Sequence, residues 1–121
     1  MRRVLVVDDN KDLADSLAEL LEIEGYTASA AYSGDEAIAQ LRSAQFRAVI
    51  CDYRMPGLNG GEVLAVIRNE LALHDLLFVI ITSTSGELPI VRTEFTRIFK
   101  KPLHMESLLD LLTGYFSDRS A

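Results

Sequence analysis

Six polar side chains stand where apolar runs of the chain stop. Asp8 and Asp9 follow VLVV at 4–7, and Asp52 follows AVIC at 48–51. Thr82 closes LFVIIT at 77–82, while Lys100 and Lys101 follow TRIF at 96–99. Two adjacent carboxylates repel each other, and each titrates above a free Asp unless a cation sits between them. Asp8 and Asp9 are therefore most simply a metal-binding edge. Mg²⁺ is usually held by one or two carboxylates together with waters and phosphate oxygens. A further carboxylate beside it can attack phosphorus and form an aspartyl phosphate. The equatorial oxygens of a phosphoryl group then need partners, and Mg²⁺, a Lys ammonium and a Thr hydroxyl suffice.

These residues share one crevice only if the apolar runs are strands of one sheet. VLVV, AVIC and LFVIIT are apolar at consecutive positions and rich in β-branched residues, as expected of strands covered on both faces. TASAAY (27–32) is a weaker strand candidate and TRIF a short one. Helical patterns lie between them. Residues 11–24 carry Leu13, Leu17, Leu20 and Leu21 on one face, and Gly25 follows as a C′ residue. SGDE at 33–36 reads as a capping box, with Ser33 accepting from the Glu36 amide while Glu36 reaches back. The helix it opens turns Ala37, Ile38 and Leu41 inward. NGGE at 59–62 offers a similar start, with Asn59 as cap before Val63, Leu64, Val66 and Ile67. A last helix, from Met105, carries Leu108, Leu109, Leu111 and Leu112. This alternation predicts a parallel α/β sheet with right-handed crossovers. Such sheets bind ligands outside the carboxyl ends of their strands, where the strand order reverses.

The totals bound the rest. A chain of 121 residues, 49% of them hydrophobic, suits one domain with a closed core. A net charge of −6 with no basic run argues against direct nucleic-acid binding by this chain. Cys51, the only cysteine, lies in an apolar run and reads as a small buried hydrophobe. It can form no internal disulfide, which suits a reducing compartment. No stretch approaches the roughly 20 apolar residues of a membrane span, and MRRVLVVDD is too short of apolar residues for a signal peptide. The expected location is the cytoplasm, away from membranes.

From VLVVDDN through CDYRMPGLNGGE and IITSTS to FKKPL, the chain resembles a response-regulator receiver domain, the phosphoacceptor module of two-component signalling. The resemblance implies a single receiver domain over 1–121 and a flavodoxin-like, doubly wound five-stranded parallel sheet in strand order 2-1-3-4-5. It implies Asp52 as the phosphorylated residue, and Asp8 and Asp9 as the acidic pair that binds Mg²⁺ or Mn²⁺ beside it. The backbone carbonyl of Arg54 matches a further protein ligand of the metal. Thr82 matches the hydroxyl that turns toward the phosphoryl group, and Lys101, just before Pro102, matches the lysine that contacts it. Lys100 is left as a neighbour without a role. The implied donor is a histidine kinase or histidine phosphotransfer protein, and the downstream output is unspecified. Phosphorylation is expected to draw the Thr inward and reshape the face of the family's fourth helix, fifth strand and fifth helix. The implied chemistry is autocatalytic phosphotransfer and autodephosphorylation, not conventional enzymology.

Some positions depart from that pattern. Ile98 stands where the family has Tyr or Phe, with Phe99 next door as a substitute, and Ser83 replaces a small apolar residue. SGELPIVRTEFTR at 85–97 must hold the family's fourth helix, yet Gly86 and Pro89 interrupt it. About two turns near 87–94 are feasible, so that helix is expected to be short or irregular. An Arg54 guanidinium at the rim could attract phosphate oxygens or impede a hydrolytic water. His74 and His104 read as exposed residues without a role as phosphodonors. The alternative within the same fold is a degenerate receiver, a non-phosphorylated protein-binding module, whose signature would be loss of a site residue. A phosphohydrolase is disfavoured because its acids would be spaced D-x-D. A flavin carrier is disfavoured because DDNKD is acidic where a phosphate-cradling loop belongs.

Overall fold

The computed structural model describes residues 2–84, 86–90 and 92–118. Strands β1 (Arg3–Val7), β2 (Thr27–Ala31), β3 (Ala48–Asp52), β4 (Leu77–Thr82) and β5 (Thr96–Lys100) pair in parallel in the order β2-β1-β3-β4-β5. Every residue of β3 and β4 is buried, which explains why these runs are apolar without alternation. The cover comes from α1 (Lys11–Ile23), α2 (Gly34–Ser43), α3 (Gly60–Asn69) and α4 (Met105–Asp118). Successive side chains of β1 go to opposite faces. Val4 and Val6 join Ala14, Ala18, Leu21, Leu108 and Leu112 in the α1/α4 layer. Leu5 and Val7 join Ala37, Leu41, Val63 and Ile67 in the α2/α3 layer. The parallel α/β sheet expected from the alternation, and the strand order implied by the resemblance, are those observed.

Local chemistry sets the helix ends beside the sheet's upper edge. Asn10 caps α1 by accepting from the Leu13 amide at 3.2 Å. Gly25, at φ +97°, ends α1: its amide reaches the Glu22 carbonyl and the Tyr26 amide reaches Leu21, both at 3.0 Å. That is a Schellman closure, and it needs a left-handed residue. At α3, Asn59 and Glu62 exchange side-chain and backbone bonds at 2.9 Å in both directions, a complete capping box. The box expected at α2 closes differently. Ser33 accepts from the Glu36 amide, but the Glu36 carboxylate takes the amide of Tyr32 instead of that of Ser33.

Two further expectations need correction. The buried face of α1 is Ala14, Ala18 and Leu21, whereas Leu13 and Leu20 are 56% and 45% exposed. Small alanines let the helix lie close to the sheet, and the leucines are carried onto its flank. Between β4 and β5, the described residues contain no helix at all; Val91, inside the expected span, lies outside them. Pro89 has no amide proton to donate and Gly86 sits at φ +99°, so the turns near 87–94 do not form. The segment instead lies as an irregular strap. Leu88 and Ile90 pack onto the α2/α3 layer, and a Cβ added at Gly61 would stand 2.8 Å from Ile90 Cγ2.

Arg68 secures the base of that strap. Its buried guanidinium donates to the carbonyls of Leu73 at 2.7 Å, Leu76 at 2.8 Å and Phe95 at 3.3 Å. Arg68→Ala would leave these carbonyls without their charged donor and should cost about 2–4 kcal/mol in urea denaturation. Arg42→Ala removes an exposed 3.7 Å ion pair with Glu70 and should cost under about 0.5 kcal/mol. Equal losses from the two variants would contradict this role for Arg68.

Candidate functional site

The register brings the strand ends level. Val7 pairs with Cys51, Asp52 with Ile81, and Thr82 with Lys100. Backbone bonds continue past the strands: the Asp8 amide reaches the Ala31 carbonyl at 3.1 Å, Tyr53 reaches Ile81 at 2.9 Å, and Lys101 reaches Thr82 at 2.9 Å. Asp8, Asp9 and Asp52 therefore meet, each offering a carboxylate oxygen within 4.8 Å of the others. Asp52 is the buried member at 8% exposure, Asp8 is half-buried and Asp9 is exposed. Lys101 Nζ approaches Asp52 Oδ1 at 3.0 Å, and a cis peptide joins Lys101 to Pro102.

The electrostatics are those of a site short of positive charge. Burial pushes the Asp8 carboxyl above its ordinary range, and the Asp52 and Asp9 charges push the same way. The Asn10 amide, donating to Asp8 Oδ1 at 2.9 Å, and the Lys101 ammonium oppose them. Among the described residues, the Lys101 ammonium pairs with this cluster, and each of its three acids offers a carboxylate oxygen. That donor set fits a hard divalent cation such as Mg²⁺. Cys51 offers no thiolate there, because burial drives its thiol well above the ordinary value.

The remaining expected residues are placed less closely. Thr82 is buried at the end of β4 beside Lys101, but its hydroxyl oxygen accepts from the Thr84 amide at 3.0 Å. Arg54 is exposed in the loop to α3, where it lines a hollow with Tyr53, Met55 and Pro56. Ile98 belongs to the α2/α3 layer and Phe99 to the opposite one, so Phe99 cannot replace an aromatic on the face of Ile98. His74 and His104 are exposed.

Two features escaped the sequence reading. The start of α3 lies against the site: the Gly60 amide donates to the Tyr53 carbonyl at 2.8 Å. A Cβ at Gly60 would stand 3.0 Å from the Asp52 carbonyl oxygen and 3.1 Å from Tyr53 Cα. The glycine pair in NGGE carried that signal. The second is an apolar groove of about 460 Å³, lined by Leu13, Leu17, Leu20, Leu103 and Met105, which runs up to Asp8, Asp52 and Lys101. Its sequence trace was the Ala14, Ala18, Leu21 spacing, which claims the core and leaves the leucines outside. Among the described residues, no helix is long and apolar enough to cross a membrane.

A doubly wound parallel sheet with a lysine-bridged acidic crevice at its carboxyl edge defines a flavodoxin-like α/β protein. The sequence model of the response regulator receiver domain matches residues 4–113, and the chain belongs to that family, the receiver module of two-component systems. Domains of this family work with histidine kinases and output domains and bind Mg²⁺ at an acidic pocket. A response regulator receiver protein of Anaeromyxobacter is 34% identical over 92% of this chain. The C4-dicarboxylate transport transcriptional regulatory protein DctD of Rhizobium meliloti is 38% identical over 72% of it. The chain spans only 47% and 18% of the lengths of these two relatives. Among solved structures, the response regulator TrrA of Thermotoga maritima, in complex with Mg²⁺ and BeF, is 29% identical with a TM-score of 0.81. That likeness covers 95% of this chain and 99% of the other.

Because the folded Asp8 carboxyl titrates above its unfolded value, its contribution to stability is present at low pH. It is lost as pH rises through the folded value. Asp8→Asn should therefore raise the Tm of the chelator-treated protein at neutral pH. The gain should shrink on approaching about pH 3.5, where the wild-type carboxyl is protonated. An equal gain at both pH values, read by thermal unfolding, would contradict charge repulsion as the cause.

Proposed function

We propose that residues 1–121 act as one phosphoacceptor receiver domain in the cytoplasm. Asp52 accepts the phosphoryl group from a phosphohistidine of a histidine kinase or histidine phosphotransfer protein. Asp8, Asp9, Asp52 and the backbone carbonyl of Arg54 are the ligands for Mg²⁺ or Mn²⁺. The observation that carries this reading is the convergence of Lys101 on Asp52, at 3.0 Å, within a cluster of three acids. When bound, the divalent cation supplies positive charge to the phosphoryl oxygens and the attacking carboxylate.

The chain's own residues supply the rest. An Asp52 carboxylate oxygen forms a bond to phosphorus as the phosphorus–nitrogen bond breaks, and the bonding pair leaves with the imidazole. Lys101, now paired with Asp52, is in place to hold a phosphoryl oxygen once the carboxylate is esterified. Thr82 accepts from the Thr84 amide, so its own hydroxyl proton remains available to donate. The added charge of about −1.5 to −2 then competes for Thr82 and Lys101, and so biases the strap and β5 that lie between them. The net charge of −6 supports an output through proteins rather than direct nucleic-acid contact.

Intact-mass analysis after incubation with acetyl phosphate tests the chemistry. A single phosphoryl adduct is expected on the wild type with Mg²⁺, and none on Asp52→Asn or with the metal chelated. A folded wild type that gives no adduct would favour the degenerate, non-phosphorylated binding module.

The apolar groove offers a donor protein a route to Asp52, since Asp52 and Lys101 themselves line its end. Leu13→Glu should slow transfer from a phosphohistidine donor about tenfold while leaving acetyl phosphate labelling unchanged. Loss of both reactions in parallel would point to damage at the acids instead.

A further inference from the structure

α1 opens with a cation where the positive end of a helix dipole favours anions. Lys11 follows Asp9 by two residues, a stretch that spans at most about 7 Å. A lysine stem and an aspartate side chain together cover that distance. A free Lys11 ammonium could therefore reach the acid cluster and neutralise it from within. The structure holds it elsewhere. Lys11 Nζ donates to Asp15 Oδ2 at 2.9 Å and to the Tyr32 hydroxyl at 3.2 Å, and lies 4.6 Å from the Tyr32 ring centroid. The Tyr32 hydroxyl in turn donates to Asp15 Oδ1 at 2.6 Å, closing the triad.

Both partners of Lys11 are themselves anchored. Asp15 is in the second turn of α1, one residue past the buried Ala14. Tyr32 directly follows β2, and its amide donates to the Glu36 carboxylate at 3.1 Å. The neighbouring Ala31 carbonyl takes the Asp8 amide, so the residue that steadies Lys11 adjoins the strand end that steadies the acid loop.

We propose that Asp15 and Tyr32 are positioning residues whose task is to hold Lys11 out of the acidic crevice, leaving Asp8, Asp9 and Asp52 available to a divalent cation. This rests on the metal-binding reading of that crevice. Lys11 is then an internal competitor kept idle. The strength of the clamp sets how much cation is needed to fill the site.

Amide chemical-shift titration with MgCl₂ tests this on the full chain without any phosphoryl chemistry. Asp15→Asn should raise the Mg²⁺ dissociation constant about two- to fivefold, the range an exposed ion pair can influence. Tyr32→Phe, which alters no charge, should weaken binding in the same direction by less. Asp12→Asn makes the same charge change without freeing Lys11 and should have a smaller effect than Asp15→Asn. Adding Lys11→Gln to Asp15→Asn should restore wild-type affinity. Equal losses from Asp12→Asn and Asp15→Asn would reduce the effect to net charge and overturn the clamp. A double variant as weak as Asp15→Asn alone would overturn it too, as a merely structural lesion. A natively folded wild type that shows no Mg²⁺-dependent shifts would overturn the metal reading itself, and the clamp with it.

Discussion

Three carboxylates drawn within 4.8 Å of one another are the constraint around which this molecule is arranged. Left in a half-buried crevice they repel, and burial together with the neighbouring charges raises the pKa of the Asp8 carboxyl. The chain answers with one ammonium, Lys101 on the buried Asp52, and one backbone donor, the Asn10 amide on Asp8. What remains is a donor set that fits a divalent cation. The sheet withstands the repulsion because the acids sit on the ends of β1 and β3, whose apolar residues are buried between two helical layers.

That enclosure also explains the severity of the packing around the site. Gly60 lets the start of α3 lie against the backbone of Asp52 and Tyr53, where any Cβ would press on main-chain atoms that cannot yield. Buried alanines at 14 and 18 seat α1 on β1, and the leucines beside them line a groove that ends at the same acids. The polar site and the apolar groove thus have one origin: helices seated close to the sheet at its carboxyl edge.

On the opposite flank the molecule is built less regularly. Where related receivers have a helix between the fourth and fifth strands, the described residues form a strap. It is held by Leu88 and Ile90 against α3 and by the Arg68 guanidinium at its base. The aromatic expected on β5 is absent, and Phe99 faces the other layer. A signal leaving Asp52 toward this flank would pass through Thr82, whose hydroxyl already grips the root of the strap at Thr84.

The succession of strands and helices, the covered sheet and the residues at its carboxyl edge were all legible in the chain, and the resemblance supplied the order of the strands in the sheet. Strand burial, helix amphipathicity and parallel connections are properties of short segments and of their sequence order. Pro89 and Gly86 already spoke against a regular helix near 87–94, though not for its complete absence. Periodicity did not tell which apolar face of α1 turns inward, because Leu13 and Leu20 share a stripe with Leu21. Only contact with the sheet selects the alanine face. Nor could spacing reveal that Glu36 serves Tyr32, that Thr82 serves Thr84, or that Lys11 is turned onto Asp15 and Tyr32. The sequence by itself determined which residues reach the edge of the sheet, since a strand's direction and end are local matters. Tertiary structure decided where each polar side chain at that edge points, because a hydrogen bond is won among competing partners brought together from distant parts of the chain.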